Sequence, residues 1–393
     1  MNNRERFNGT LNFNGGIDRG AVLETFYPWN LTLNRWEKEG IPSSYIDNIW
    51  CPKGKTPTAE EFYLNCLMTD GVYEFEKYLG FDGVKRISFR LPFINFEEKV
   101  TEITDEYYIK QCSDGWIRKY YKHRDLIEGI KPPVKNMDDW LRLKEHAKEE
   151  LDKYFSDENI KRIYSTYKEG HEKGDYSIIL NITGYFWTPR ELLGIEQHML
   201  AFYDYPEMIN DMNEFVTEIY LDKLGKILEI LSVDLVYIME DLSGTNGPML
   251  SPAYFEEFVG TYYKRLIPFL KSHGVKNVFV DTDGDFNILI PNFIEAGVDG
   301  FLPMDVNAGM DIVAVRERFP KLKFIGAFNK LVIAEGKESI DKEFERLRPV
   351  IRHGGYIPGA DHQVAPSTSL ENYKYYIEKL KKAMEESCSE SGE

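Results

Sequence analysis

The run VFVDTDGDFN, residues 278–287, carries the reading of the whole chain. Its apolar start, Val278-Phe279-Val280, stops abruptly at Asp281, Asp283, Gly284 and Asp285. Buried parallel strands read as short continuous apolar runs. Acids just past such a run therefore sit at the strand's C-terminal end, the edge at which α/β folds bind ligands. The pattern recurs in VDLVYIMEDL (233–242), VDGFLPMDV (298–306), LKFIGAFNK (322–330) and GGYIPGADH (354–362). Each run finishes in Asp, Glu, Asn or His, and the series predicts one mouth lined with polar groups.

Helical segments separate these runs. Thr188 and Pro189 open one with a cap and a first-turn proline, and Ser251 and Pro252 open another. Regular strand–helix alternation predicts parallel pairing. Roughly eight such strands predict a (β/α)8 TIM barrel with an N-terminal extension, as a single domain over residues 1–393. Upstream, Arg4–Leu11 reads as a helix and AVLETFYPWN (21–30) as the first barrel strand, with Tyr27 and Trp29 at its mouth. Residues 81–125 alternate in period two around Ser113-Asp114-Gly115, a hairpin signal. An antiparallel meander inserted there would serve as a lid or a dimer contact. The last helix is expected at 369–386, with a frayed tail from Glu385.

A net charge of −17 leaves no basic stripe to neutralise phosphates, which argues against nucleic acid. No apolar run approaches the ~20 residues of a membrane span, and MNNRERFNGT has no signal-type apolar core. Cys51, Cys66, Cys112 and Cys388 show no CxxC spacing, so a reduced, cytoplasmic protein is expected. No nucleotide cofactor is expected.

Alternate strand residues share a side, so Asp281 and Asp283 can converge on one ligand. Two converging carboxylates raise one another's pKa for acid–base work, or bind a cation or an amine; the alternative is capping of a helix N-terminus, which needs only one of them, and Asp285 reads as such a cap. Consecutive Glu240 and Asp241 point to opposite sides, and Asp241 is taken as the one facing the mouth. Asp361-His362 ends the last strand, where His362 is a metal ligand, a base or a hydrogen-bonded core residue. Asp305 and Asn329-Lys330 hold the corresponding places after two intervening strands; Lys330 would neutralise an acid or hold a substrate carboxylate. The rings of Tyr27, Trp29, Tyr185, Phe186 and Trp187 either shape a pocket for a flat or apolar substrate or roof the barrel.

The pieces TPRELLGIEQHMLAFYDYPEMI, EDLSGTNGPMLSPAYFEEFVGTYYKRLI, FIEAGVDGFLPMDVNAGMDI and APSTSLENYKYYIEKL resemble the uroporphyrinogen decarboxylase superfamily over nearly the full length. That resemblance implies a (β/α)8 barrel and either a decarboxylase or a cobalamin- or corrinoid-dependent methyltransferase. True decarboxylases carry an Arg-rich motif after the first strand; here the segment is LETFYPWNLTLNRW. In that reading Arg90 and Lys330 would have to hold the substrate's carboxylates. The methyltransferase branch holds zinc through His-X-Cys-Gly and a late Cys, and matching motifs puts Asp281, Asp283 and His362 at those places. Every position keeps a metal-capable side chain, but the thiolates are gone, which suits a harder divalent ion or no metal. The resemblance therefore implies methyl transfer between a small methylated or methoxylated substrate and the corrinoid of a partner protein. A decarboxylating lyase acting on a tetrapyrrole and a non-catalytic corrinoid- or tetrapyrrole-binding protein are the alternatives.

Overall fold

The computed structural model describes residues 1–47, 49, 63–64, 68–124 and 126–389. Cys51 and Cys66 lie outside them, as does most of the loop expected at 42–57. Strand β1 (Val84–Ser88) is followed by β2 (Lys99–Ile103), β3 (Tyr107–Gln111), β4 (Ile117–Tyr121) and β5 (Ile127–Lys131), which form a separate antiparallel meander. The parallel sheet resumes with β6 (Ser177–Thr183) and β7 (Leu235–Met239). A two-residue hairpin, β8 (Ser243–Gly244) and β9 (Gly247–Pro248), precedes β10 (Val278–Asp281), β11 (Gly300–Leu302), β12 (Lys323–Phe328) and β13 (Tyr356–Ala360). The main sheet has seven strands in the order β1-β6-β7-β10-β11-β12-β13, all parallel. Chain order equals spatial order, so the sheet curls in one direction and has no reversal point of the doubly wound kind.

Two apolar clusters explain the near-continuous hydrophobicity of these strands. Ile179, Leu235, Phe279, Leu302, Ile325 and Ile357 meet on the concave side, while Leu180, Val236, Val280, Phe324 and Tyr356 face the surrounding helices. A strand buried on both faces cannot afford polar alternation. Phe7 and Leu11, on the helix Asn3–Leu11, join the concave cluster and plug its floor. Among the described residues, no helix is long and apolar enough to cross a membrane.

Four expectations need correction. Residues 21–30 do not form a ladder strand, and the ring of strands is open between β13 and β1. The extended, buried segment Ala21–Thr25 lies in the gap instead, with Ala21 and Leu23 in the concave cluster. It is tied by scattered bonds and not by a ladder: the Asp82 N–H donates to the Val22 carbonyl at 2.8 Å, the Val22 N–H donates to the Asp82 carboxylate at 2.8 Å, and the Ala360 N–H donates to the Glu24 carboxylate at 2.7 Å. The inserted unit also begins later than expected. Residues 84–88 are a strand of the main sheet paired to β6, and the meander occupies 99–131. Period-two alternation marked β1 as meander-like because, past Val84, its concave side carries the polar Arg86 and Ser88. The expected turn at Asp114-Gly115 does join β3 to β4. The C-terminal helix runs from Leu370 to Ser389, past the point where fraying was expected.

Replacing Leu23 by Ala tests whether this segment is part of the core. The expected loss in urea denaturation is about 2–5 kcal/mol, against less than about 0.5 kcal/mol for the exposed control Leu31→Ala. Equal, small losses at both positions would contradict the assignment.

Candidate functional site

Asp281 is the last residue of β10 and lies two positions after the inward Phe279, so it faces the concave side. It is buried and accepts a hydrogen bond from the Tyr237 hydroxyl. Burial pushes its carboxyl up to about 8, against the Tyr237 bond that lowers it, with nearby Asp283 and Asp241 raising it further. Asp283 is different: its side chain is 44% exposed, and its Oδ1 lies 3.0 Å from Nε2 of His362. Burial lowers the imidazole's pKa, but the bond and charge of Asp283 outweigh it, and the net direction is up. The turn between these groups requires Gly284, whose φ is +78° and whose Cβ would strike the backbone of Ser243 and Gly244 at 2.6 Å. Asp285 caps the following turn through the Asn287 N–H at 3.0 Å.

The pair Glu240-Asp241 splits between the protein interior and the mouth. Glu240 is fully buried and accepts the N–H groups of Tyr185, Phe186 and Trp187 together with the Tyr263 hydroxyl. It is therefore an anchor for the start of the helix Trp187–Leu193. Asp241 turns to the mouth with φ +42° and takes Arg190 Nη1 at 3.1 Å. Its pKa is raised by burial and by Asp283.

On the opposite side, Asp361 is buried and accepts the Lys330 N–H at 3.0 Å, the Val306 N–H at 3.3 Å and the Asn307 amide at 3.2 Å. Asp305 caps the turn Val306–Ala308 and receives the Gly284 N–H at 3.4 Å. One ligand atom each from Asp305, Asp361 and His362 lies within 4.8 Å of the others. The expected metal set Asp281, Asp283 and His362 shares only His362 with this grouping. Its donors are carboxylate oxygen and imidazole nitrogen, which fit a divalent ion of the harder kind and not a thiolate-bound zinc. Asn329 caps the helix Lys330–Glu335 through the Leu331 N–H. Lys330 touches the cluster through its backbone and acts electrostatically on Asp361 and His362.

Two cavities share Tyr237, the residue bonded to Asp281. The larger, about 430 Å³, is lined by Arg90, Trp116, Thr183, Trp187, Tyr237 and Met239. Trp116 comes from the meander and donates its indole N–H to the Glu191 carbonyl at 2.8 Å, so the insertion supplies a wall of the site. Burial depresses the Arg90 pKa, and Arg190 lies over the Trp187 ring at 5.0 Å. The smaller cavity, about 200 Å³, sits inside the curled sheet and includes Thr25, Tyr27, Asn181, Tyr237 and Gln363. Asn181 and Tyr237 belong to both.

Of the expected pocket residues, Arg90 and Trp187 line the larger cavity and Tyr27 the smaller. Trp29 is 54% exposed ahead of the helix Asn30–Lys38 and lines neither. Tyr185 and Phe186 are core residues, as the roofing alternative has it. Sequence reasoning missed Tyr237, Asn181, Arg190 and Thr25. Period-two spacing from Leu235 and Ile179 was the signal available for the first two.

The sequence profile of the family described as Uroporphyrinogen decarboxylase (URO-D) matches residues 127–383. No curated protein sequence matches the chain. Among solved structures, a methyltransferase from Methanosarcina mazei is similar at a TM-score of 0.60 and 14% identity, over 97% of this chain and 99% of that one. A B12-independent methionine synthase from Shewanella sp. W3-18-1, in complex with selenomethionine, is similar at a TM-score of 0.40 and 11% identity, over 79% of this chain and 83% of that one. The profile match spans more than half of the chain, and the protein belongs to the uroporphyrinogen decarboxylase family.

Proposed function

We propose that this protein is a methyltransferase-like enzyme that moves a methyl group between a small methylated or methoxylated substrate and a corrinoid carried by a partner protein. The observation that carries the reading is that the Asp281–Tyr237 and Asp283–His362 pairs act on each other electrostatically, with Tyr237 lining both cavities. We read residues 1–393 as one (β/α)8-type barrel domain with one strand place taken by an extended segment, working in the cytoplasm. The fold likeness to the Methanosarcina methyltransferase supports this branch of the family.

The chemistry follows from where protons are held. When a methyl group leaves oxygen or nitrogen for a nucleophilic acceptor, the bonding pair stays on the heteroatom, which must then take a proton. A carboxyl with a pKa near 8 is largely protonated at neutral pH, and Asp281 is in contact with the Tyr237 hydroxyl at the junction of the two cavities. Once protonated, Asp281 can turn that bond round and donate its O–H to the Tyr237 oxygen, and the phenol proton then passes to the departing atom as Tyr237 takes the proton of Asp281. Asp283 and His362, nearer to solvent, are placed to exchange that proton with water. A divalent ion at this mouth would be held by Asp305, Asp361 and His362 and would supply Lewis-acid polarisation of a substrate oxygen.

Methyl transfer from candidate methyl donors to cob(I)alamin is the direct test. Asp283→Ala and Asp281→Asn are each expected to lower turnover by about 100-fold or more; unchanged turnover in both would remove the assignment.

A second outcome concerns stability. Because the folded-state pKa of Asp281 lies above its ordinary value, its contribution is complete below about 4 and is lost as pH rises through about 8. The stability of the wild type relative to Asp281→Asn should therefore fall between pH 5 and pH 8. A difference that stays flat or grows across that range in thermal melts would contradict it.

A further inference from the structure

The smaller cavity holds a polar group that the fold itself does not satisfy. Thr25 is only 7% exposed, and its Oγ1 has no hydrogen-bond partner. Its direction is fixed by Gly359. That residue lies two positions after the inward Ile357, so a Cβ there would point into the ring, and it would meet Thr25 Oγ1 at 2.5 Å. The hydroxyl therefore lies inside the curled sheet. Asn181 and Gln363 line the same space, and among the described residues neither side-chain amide is hydrogen-bonded to the protein. Each of these three groups can both donate and accept.

The charges around the cavity are already committed. The Arg86 guanidinium takes both oxygens of Glu76 at 2.8 and 2.9 Å, and gives another N–H to the Glu24 carbonyl at 2.6 Å. The Glu24 carboxylate accepts the Thr25 N–H, the Ala360 N–H and the Tyr373 hydroxyl. A charged ligand would lose its hydration here without gaining a counter-charge. The remaining lining is aliphatic, from Leu23, Ile179, Leu235, Leu302 and Ile325, and aromatic, from Phe26, Tyr27 and Tyr237, whose hydroxyl is bonded to Asp281. A volume of about 200 Å³ limits the occupant to a small molecule.

We propose that this cavity, lined by Thr25, Asn181 and Gln363, binds a small uncharged compound with an ether, hydroxyl or amide group on a short apolar body. It names the substrate class for the methyl transfer proposed above and rests on that reading for the reaction, though not for the binding. Neutral methyl ethers or N-methyl amides fit; carboxylates and quaternary ammonium compounds do not.

Saturation-transfer NMR on the full chain, without corrinoid, separates the two claims. The probes are 2-methoxyethanol and N-methylacetamide against acetate and tetramethylammonium. The neutral pair should give transfer to the wild type and to Thr25→Ser, with binding about tenfold weaker in Thr25→Val and in Asn181→Ala. The charged pair should give none that these substitutions alter. Neutral-probe binding that is absent, or unchanged in both Thr25→Val and Asn181→Ala, would overturn the proposal, as would acetate or tetramethylammonium binding that Thr25→Val abolishes. Asn181→Ala stands alone as the variant should Thr25→Val fail to fold. Since no turnover is read, loss of the methyl-transfer assignment would leave this result intact.

Discussion

The structure depends on one buried carboxyl, that of Glu24. A curled parallel sheet of seven strands leaves two edges, and exposed edges present unpaired N–H and C=O groups. Segment 21–25 covers the gap without forming a ladder, because the Glu24 side chain reaches the Ala360 N–H at the end of β13 while its carbonyl takes Arg86 from β1. Burial pushes the Glu24 carboxyl up to about 7, against the hydrogen bonds from Tyr373, Ala360 and Thr25 that lower it. Such a group persists only where its acceptors are filled, and here they are. The same arrangement brings Thr25 and Tyr27 to the inner cavity, so the closure of the ring and one wall of the site are one feature.

Strand ends divide their acids between structure and chemistry. Glu240 is turned into the protein and spends its oxygens on three backbone N–H groups and a tyrosine, whereas Asp241, the next residue, faces the mouth. Asp281 and Asp283 share a side but differ in depth. The buried one is pushed up by desolvation; the half-exposed one pairs with His362. Two carboxylates of the same type thereby stand in different surroundings, one desolvated and one paired with an imidazole, and it is the buried one that burial keeps protonated at neutral pH.

Much of this was legible in the sequence, and the physical reasons for the rest can be named. Apolar runs that stop at acids located β7, β10, β11, β12 and β13 because strands buried on both faces leave little freedom of composition. The family resemblance rested on the helices and loops between them and agrees with the profile match. Segment 21–30 looked like a strand because it is buried like one; burial pattern alone does not report whether backbone groups find a ladder. β1 was hidden by Arg86 and Ser88, whose polar side chains belong to the interior cavity system. Tyr237, Asn181 and Thr25 were passed over for a related reason, since a polar residue inside an apolar strand reads as noise until its neighbours in space are known. The metal-capable grouping shifted from Asp281 and Asp283 to Asp305 and Asp361 because loop geometry after β11 and β13 is not encoded in spacing.

At the centre of the account is a protonated Asp281 held against Tyr237 at the meeting point of two cavities. Infrared spectroscopy of the carboxyl C=O stretch across a pH titration observes that proton directly. A band present in the wild type, missing in Asp281→Asn and disappearing with a midpoint near 8 is the predicted result. A carboxyl that is already ionised at pH 6, with a midpoint near the ordinary value of about 4, would contradict it.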